Sequence, residues 1–330
     1  MGSETDPPSR RDVLINLARL GGLGAASAGL GVWLSARSEH PEESAEESPN
    51  ASFESRRNVA PDPNLPEMVI AQGEDPRLLV RKSLEALGGV GRFVAPGDVV
   101  LIKPNIAWDR TPEQAANTNP QVVAEMVRLC RQAGARRVIV SDVSCNDPRR
   151  CFRRSGIAEA ASAEGAEVIL PEDRHFKRVN LRGALGAWPV LEPLLSVDKV
   201  INIPVAKHHS LTAASLGMKN WYGILGGPRQ RLHQRIHESL ADLADFARPT
   251  LTVMDAWRVM LRNGPDSGNP ADVALKKTVL AGTDPVALDA YAAQAWWDLT
   301  WRTLRYLELA AGRNLGRLDF EALRTRFVTL

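Results

Sequence analysis

Short apolar runs of four or five residues recur along this chain, separated by stretches of helical spacing, and most of the runs stop at a charged or amide residue. Strands apolar on both faces must be buried on both. The alternation therefore predicts an α/β fold, a mostly parallel sheet with helices on both faces. Strands are expected at 68–71, 99–102, 137–141, 167–170, 199–203, 250–254 and 277–281. Helices fall at 76–87, 120–133 and 156–164, with Gly88-Gly89 and Gly134 as stops for the first two.

In open parallel sheets, ligands bind outside the carboxyl ends of the strands, where loops converge and helix N-termini point inward. Here those ends deliver Lys103 and Asn105, then Asp142, Lys207 with His208 and His209, Asp255 and Asp284. Together they read as a cleft; Asp142 and Asp255 taken singly are read equally well as caps of a following helix. The block VAKHHSLTAASLGMKNWYGILGG, 205–227, is the densest in chemistry. Its Lys207, Thr212, Lys219 and Asn220 are donors suited to a phosphate or carboxylate. His208 and His209 point to opposite sides of a strand, so at most one faces a given ligand.

His233 and His237 stand four apart on one expected helix face. That is compatible with a metal, but the Glu of a His-Glu-x-x-His site is missing, and ordinary hydrogen-bonding histidines are the commoner outcome. With Asp242 or Asp245 nearby, His237 is also a candidate proton carrier. Asp284 can cap the helix that Pro285 opens. Asp289, set among apolar residues, is open to pairing with Lys103 or Lys219 or to giving a carboxylate to a cation. The candidate catalytic residues are thus His209, His237 and Lys219, and the candidate ligand-binding residues Lys103, Asn105, Lys207, Thr212 and Asn220. A divalent metal, if bound, would fall to Asp142, Asp255, Asp284 and Asp289.

Lys and Arg total 41 against 39 Asp and Glu, with no basic stripe interleaved with aromatics, so nucleic-acid binding is not expected. Of the three cysteines, Cys130 sits in a helical pattern and reads as core, whereas Cys145 and Cys151 are close enough in sequence to bridge in an oxidising compartment. There is no Cys-x-x-Cys, so no iron–sulfur cluster is expected on this chain's own cysteines. A serine nucleophile elbow, a Walker sequence and a Gly-x-Gly-x-x-Gly turn are also missing.

Ser9-Arg10-Arg11-Asp12-Val13-Leu14, followed by a Gly-, Ala- and Leu-rich run, resembles a twin-arginine export signal. Such a signal implies recognition by the twin-arginine export machinery and transport of folded cargo. Residence would be periplasmic or on the outer face of the cytoplasmic membrane. Ala26-Ser27-Ala28 suits a peptidase and Trp33 suits an interface, so cleavage and N-terminal anchoring both stay open. The expected organisation is a signal at 1–37, an acidic then Pro-rich tether at 38–66, an α/β domain at 67–298 and a helical extension packed on it at 299–330.

Several blocks in order resemble the family known as domain of unknown function 362. They are Lys103-Pro104-Asn105, Asp142, Ile203-Pro204 before Lys207 and a His, Thr212, and Lys219-Asn220-x-x-Gly223. His237 with Asp242-Leu243 follows, then Pro249, Asp255-Ala256, Gly264-Pro265 and Gly282-x-Asp284-Pro285-Val286-Ala287-x-Asp289-Ala290. His209 matches the family's Lys-x-His spacing. The resemblance implies an α/β domain, in some members fused to a ferredoxin-like module, whose cluster cysteines this chain lacks. Two functions compete. One is an exported enzyme acting on a small anionic ligand. The other is a non-catalytic subunit of an exported redox assembly, with a redox partner docking on a face shared by Trp297 and Trp301.

Overall fold

The computed structural model describes residues 56–330 except Arg182 and Ala184. The twin-arginine motif, the leader and the tether up to residue 55 lie outside the described residues. The chain opens with β1 (Met68–Gln72), α1 (Pro76–Ala86), β2 (Val99–Pro104), α2 (Pro120–Gln132) and β3 (Arg137–Val140). It continues through α3 (Pro148–Arg154), α4 (Ile157–Ala163), β4 (Glu167–Val168), β5 (Phe176–Asn180) and β6 (Ala187–Leu191). Next come α5 (Glu192–Ser196), β7 (Lys199–Ile203), β8 (Val205–His209), β9 (Ala213–Ser215) and α6 (Ile236–Ala247). It closes with β10 (Leu251–Met260), β11 (Val273–Gly282), α7 (Pro285–Trp297), α8 (Arg305–Ala311) and β12 (Thr325–Thr329).

The main sheet runs in the order β12-β1-β11-β10-β7-β2-β3-β4, and β8 replaces β7 along the downstream half of β10, carrying β9. Within it, β9 and β11 run against the other strands. The sheet is thus mixed and mostly parallel, flanked by helices: an α/β fold. Side chains alternate between two cores, as a pleated strand requires. Leu101 and Val200 face the layer of α6, α7 and α8, whereas Val100, Ile102 and Ile201 face α1, α2 and α4. The parallel arrangement puts the ends of β2, β3 and β8 on one edge.

Helix starts follow local capping chemistry. Asp75 accepts from the Arg77 and Leu78 N–H groups at the head of α1, and Asn119 accepts from Gln121 at the head of α2. The stretch 299–330, expected as a helical extension, supplies α8 and then β12, which pairs in parallel with β1. Among the described residues, no helix is long and apolar enough to cross a membrane.

Candidate functional site

Lys103 projects from β2 and Asp142 follows β3, so the pairing of those two strands brings the residues together. Both are buried, and Lys103 Nζ donates to Asp142 Oδ1 at 2.5 Å, to the Pro104 carbonyl at 2.8 Å and to Asn220 Oδ1 at 3.1 Å. Burial drives Lys103 below a lysine's usual pKa and Asp142 above an aspartate's, and each partner opposes the other's displacement. Asp142 Oδ2 also accepts the Ile106 N–H at 2.6 Å. Asn220 extends the network by donating to Asn202 Oδ1 at 2.8 Å and to the Lys103 carbonyl at 3.2 Å.

Beside this network lies a cavity of about 490 Å³. Asn105, Asp142, Lys207, His209, Lys219 and Asn220 line it, joined by Trp108, Cys145, Tyr222, Arg229 and His233. Lys207, on β8, donates to the Ala116 carbonyl at 2.5 Å and to Asn105 Oδ1 at 3.2 Å. Burial pulls its pKa down to about 7, with Cys145 opposing and the Lys219 charge adding to the fall. Lys219 opens a 3₁₀ turn (Lys219–Ile224), and its Nζ lies 4.6 Å from the centre of the Tyr222 ring. It donates to no protein acceptor among the described residues, and burial brings it to about 8.

His209 accepts the Leu211 N–H on Nδ1 at 3.1 Å, which leaves its proton on Nε2. Burial, then the Lys219 and Lys207 charges, hold it well below an imidazole's usual pKa. It is therefore a neutral ring offering one donor. Of the charged lining groups, Lys207, Lys219 and Arg229 are cationic, and the single carboxylate, Asp142, is already tied to Lys103.

The other candidates are placed elsewhere. Thr212 donates to the Ala214 carbonyl at 2.9 Å in the β8–β9 turn. Asp255 accepts the Asn119 and Trp257 N–H groups, and Asp284 accepts those of Ala287 and Arg317. Asp289 accepts the Gly217 and Met218 N–H groups at 2.7 and 2.9 Å. All three carboxylates thus satisfy backbone donors away from the cavity. Among the described residues, no three His, Cys, Asp or Glu side chains gather as a metal cage would require.

His233 and His237 do not share a helix face as the sequence suggested. The chain is 3₁₀ through Arg235 and α-helical from Ile236, so the fourfold spacing does not align them. His233 lines the cavity and lies 5.8 Å from the Tyr222 ring, whereas His237 stacks on Tyr306 at 6.2 Å. Asp242 and Asp245 pair instead with Arg313 and Arg248. Trp301 likewise falls outside α7, because Asp298 takes φ +53° and ends the helix. Trp297 is half-buried, with its indole donating to the Leu261 carbonyl.

Sequence reasoning missed Arg229, Cys145 and Trp108. Arg229 donates to the Val143 and Ser144 carbonyls at 2.8 and 2.7 Å and to that of Tyr222 at 3.2 Å. Its guanidinium also lies 3.8 Å from Cys145 Sγ. Its partners in 143–145 are some eighty residues away, and no local pattern announces such a bond. Cys145 is exposed and free; Cys151 and Cys130 are free and buried.

Comparison with known proteins adds the following. The family described as domain of unknown function (DUF362) matches residues 100–294. A thylakoid-associated protein of Synechocystis sp. is 28% identical over 218 residues, 64% of this chain. The match spans 66% of that relative, just under two thirds of its length. Among solved structures, the lactate racemase apoprotein from Thermoanaerobacterium thermosaccharolyticum is similar at a TM-score of 0.39 and 12% identity, over 68% of this chain and 56% of that one. A protein from Thermotoga maritima gives a TM-score of 0.35 at 12% identity, over 73% and 60%.

Proposed function

The chain belongs to the family described as domain of unknown function 362, and we propose that its strand-end cavity binds a small anion, a carboxylate or a phosphate, and moves a proton on it. One observation carries this reading: Lys207, Lys219 and Arg229 face a cavity whose only carboxylate is already neutralised by Lys103. Cations drawn out of water around a cavity lower their free energy when an anion enters. Lys207, near pKa 7, is poised to take or give a proton at neutral pH. The Nε2–H of His209 is the fixed donor that orients the ligand.

The test is thermal melting of the full chain with phosphate, acetate and lactate, each followed by calorimetric titration. The expected result is stabilisation by at least one of the three, weakened in Lys207→Gln and in Lys219→Ala. If none of them shifts the melting temperature, the reading fails.

The working place is proposed to be across the cytoplasmic membrane, with Arg10 and Arg11 as the export address. The thylakoid association of the Synechocystis relative supports a membrane-side location. Residues 1–37 fused to a folded reporter should carry it out of the cytoplasm. Arg10→Lys with Arg11→Lys should abolish that transport, and a reporter indifferent to the double change would count against this route.

A further inference from the structure

Resting on the anion-site reading above, we propose that the ligand carries a reactive carbonyl, as in a 2-oxo acid, and that Lys219 captures it as an imine. The three lysines at this site are not equivalent. Lys103 has three acceptors and Lys207 two, whereas Lys219 has only the face of Tyr222. Yet Lys219 is just 6% exposed and lines the cavity. A buried ammonium without an acceptor is costly, so the arrangement raises the fraction of neutral amine, whose lone pair is available to the cavity. Its acidity agrees, since burial holds it near 8 rather than at a lysine's usual value.

The neighbours supply the remaining parts. Lys207 uses two of its three N–H groups on the protein, leaving one for a ligand carboxylate. The Nε2–H of His209 provides a second donor. The amine lone pair adds to the carbonyl carbon, and the carbonyl π electrons move to oxygen, which takes up a proton. The resulting carbinolamine expels that oxygen as water while nitrogen gives up its second proton. One C=N bond replaces one C=O bond, one water leaves, and no oxidant or reductant is consumed. Lys207, titrating near neutrality, is the group that shuttles the protons.

The experiment treats the full chain with pyruvate and cyanoborohydride, which reduces an imine to a stable secondary amine, and maps adducts by peptide mass spectrometry. Lys219 should be labelled faster than surface lysines by about tenfold or more, because its amine is more often neutral. Excess acetate should slow that labelling, and Lys219→Arg should abolish it while the fold, checked by circular dichroism, persists. If the variant fails to fold, acetate competition on the native chain alone decides. Labelling spread evenly over surface lysines, or none at Lys219 while acetate or lactate still stabilises the fold, overturns the imine and leaves the anion site standing. No melting shift with phosphate, acetate, lactate or pyruvate overturns both.

Discussion

At the scale of single residues, the site depends on an atom that is missing. A Cβ on Gly223 would stand 1.8 Å from Asp142 Oδ1 and 2.7 Å from Lys103 Nζ, so only glycine lets this turn close over the buried pair. Gly223→Ala should therefore separate the two charges and destabilise the fold by about 3 kcal/mol or more, the range for breaking a buried ion pair. Urea unfolding of the variant checks this, and a loss below about 1 kcal/mol, the scale of an ordinary substitution, would mean that the turn yields cheaply. The residue scale also shows how far a sequence speaks. Lys103 and Lys207 were legible as polar residues at the ends of apolar strands, and Lys219 as a lysine set between apolar Met218 and the aromatic pair Trp221-Tyr222. Asp255, Asp284 and Asp289 were legible as carboxylates but not as occupied ones. Each spends its oxygens on backbone N–H groups: Asp284 caps α7 as its capping reading allowed, whereas Asp255, read as the cap of a following helix, lies inside β10 and caps none. Arg229 was not legible because its partners are distant in sequence.

At the scale of elements, α7 reaches the site indirectly. Asp289 sits on its first turns and accepts the Gly217 and Met218 N–H groups, immediately before Lys219 and Asn220. Asp289→Ala would leave both donors buried and unsatisfied, a loss of about 2 to 3 kcal/mol, and should weaken anion binding along with stability. Asp289→Asn, which keeps one acceptor oxygen, should recover part of both. Equal anion affinity in all three proteins would show that the 217–220 segment holds its shape unaided. The central strands could be read because each is an apolar run with a polar end. The β5–β6 hairpin and β12 could not: FKRVN and TRFVT alternate or stay largely exposed, whereas β4, expected at 167–170, forms but is only two residues long. Trp301 was expected to share a face with Trp297, but α7 stops before it at Asp298, a turn set by backbone conformation and not by a proline or glycine.

At the scale of the whole molecule, the buried groups give stability an unusual dependence on pH. Asp289 is raised from 3.8 to about 7 and Asp255 to about 6, chiefly by burial. Between pH 4 and these values the native state holds protons that the unfolded chain has lost, so stability falls as pH rises. Lys207 and Lys219 are lowered from 10.5 to about 7 and about 8. Above those values the unfolded chain holds more protons than the native one, so stability rises with pH towards 10.5. The two trends predict a minimum between about pH 7 and 8. Chemical denaturation from pH 4.5 to 10 should trace it, and acetate, bound through protonated lysine, should raise stability more on the acid side of the minimum than on the alkaline side. A single broad maximum at neutrality in the free protein would show that these four groups do not govern the balance.

The position of β1 has a consequence for biosynthesis. Its two neighbours are β11 and β12, both from the last fifth of the sequence. While the ribosome is still making the middle of the chain, Met68–Gln72 has no strand to join, and its place in the sheet cannot be filled on both sides until β11 and β12 have emerged. Apolar Met68, Val69 and Ile70 need shelter in that interval, from a chaperone or from transient local collapse.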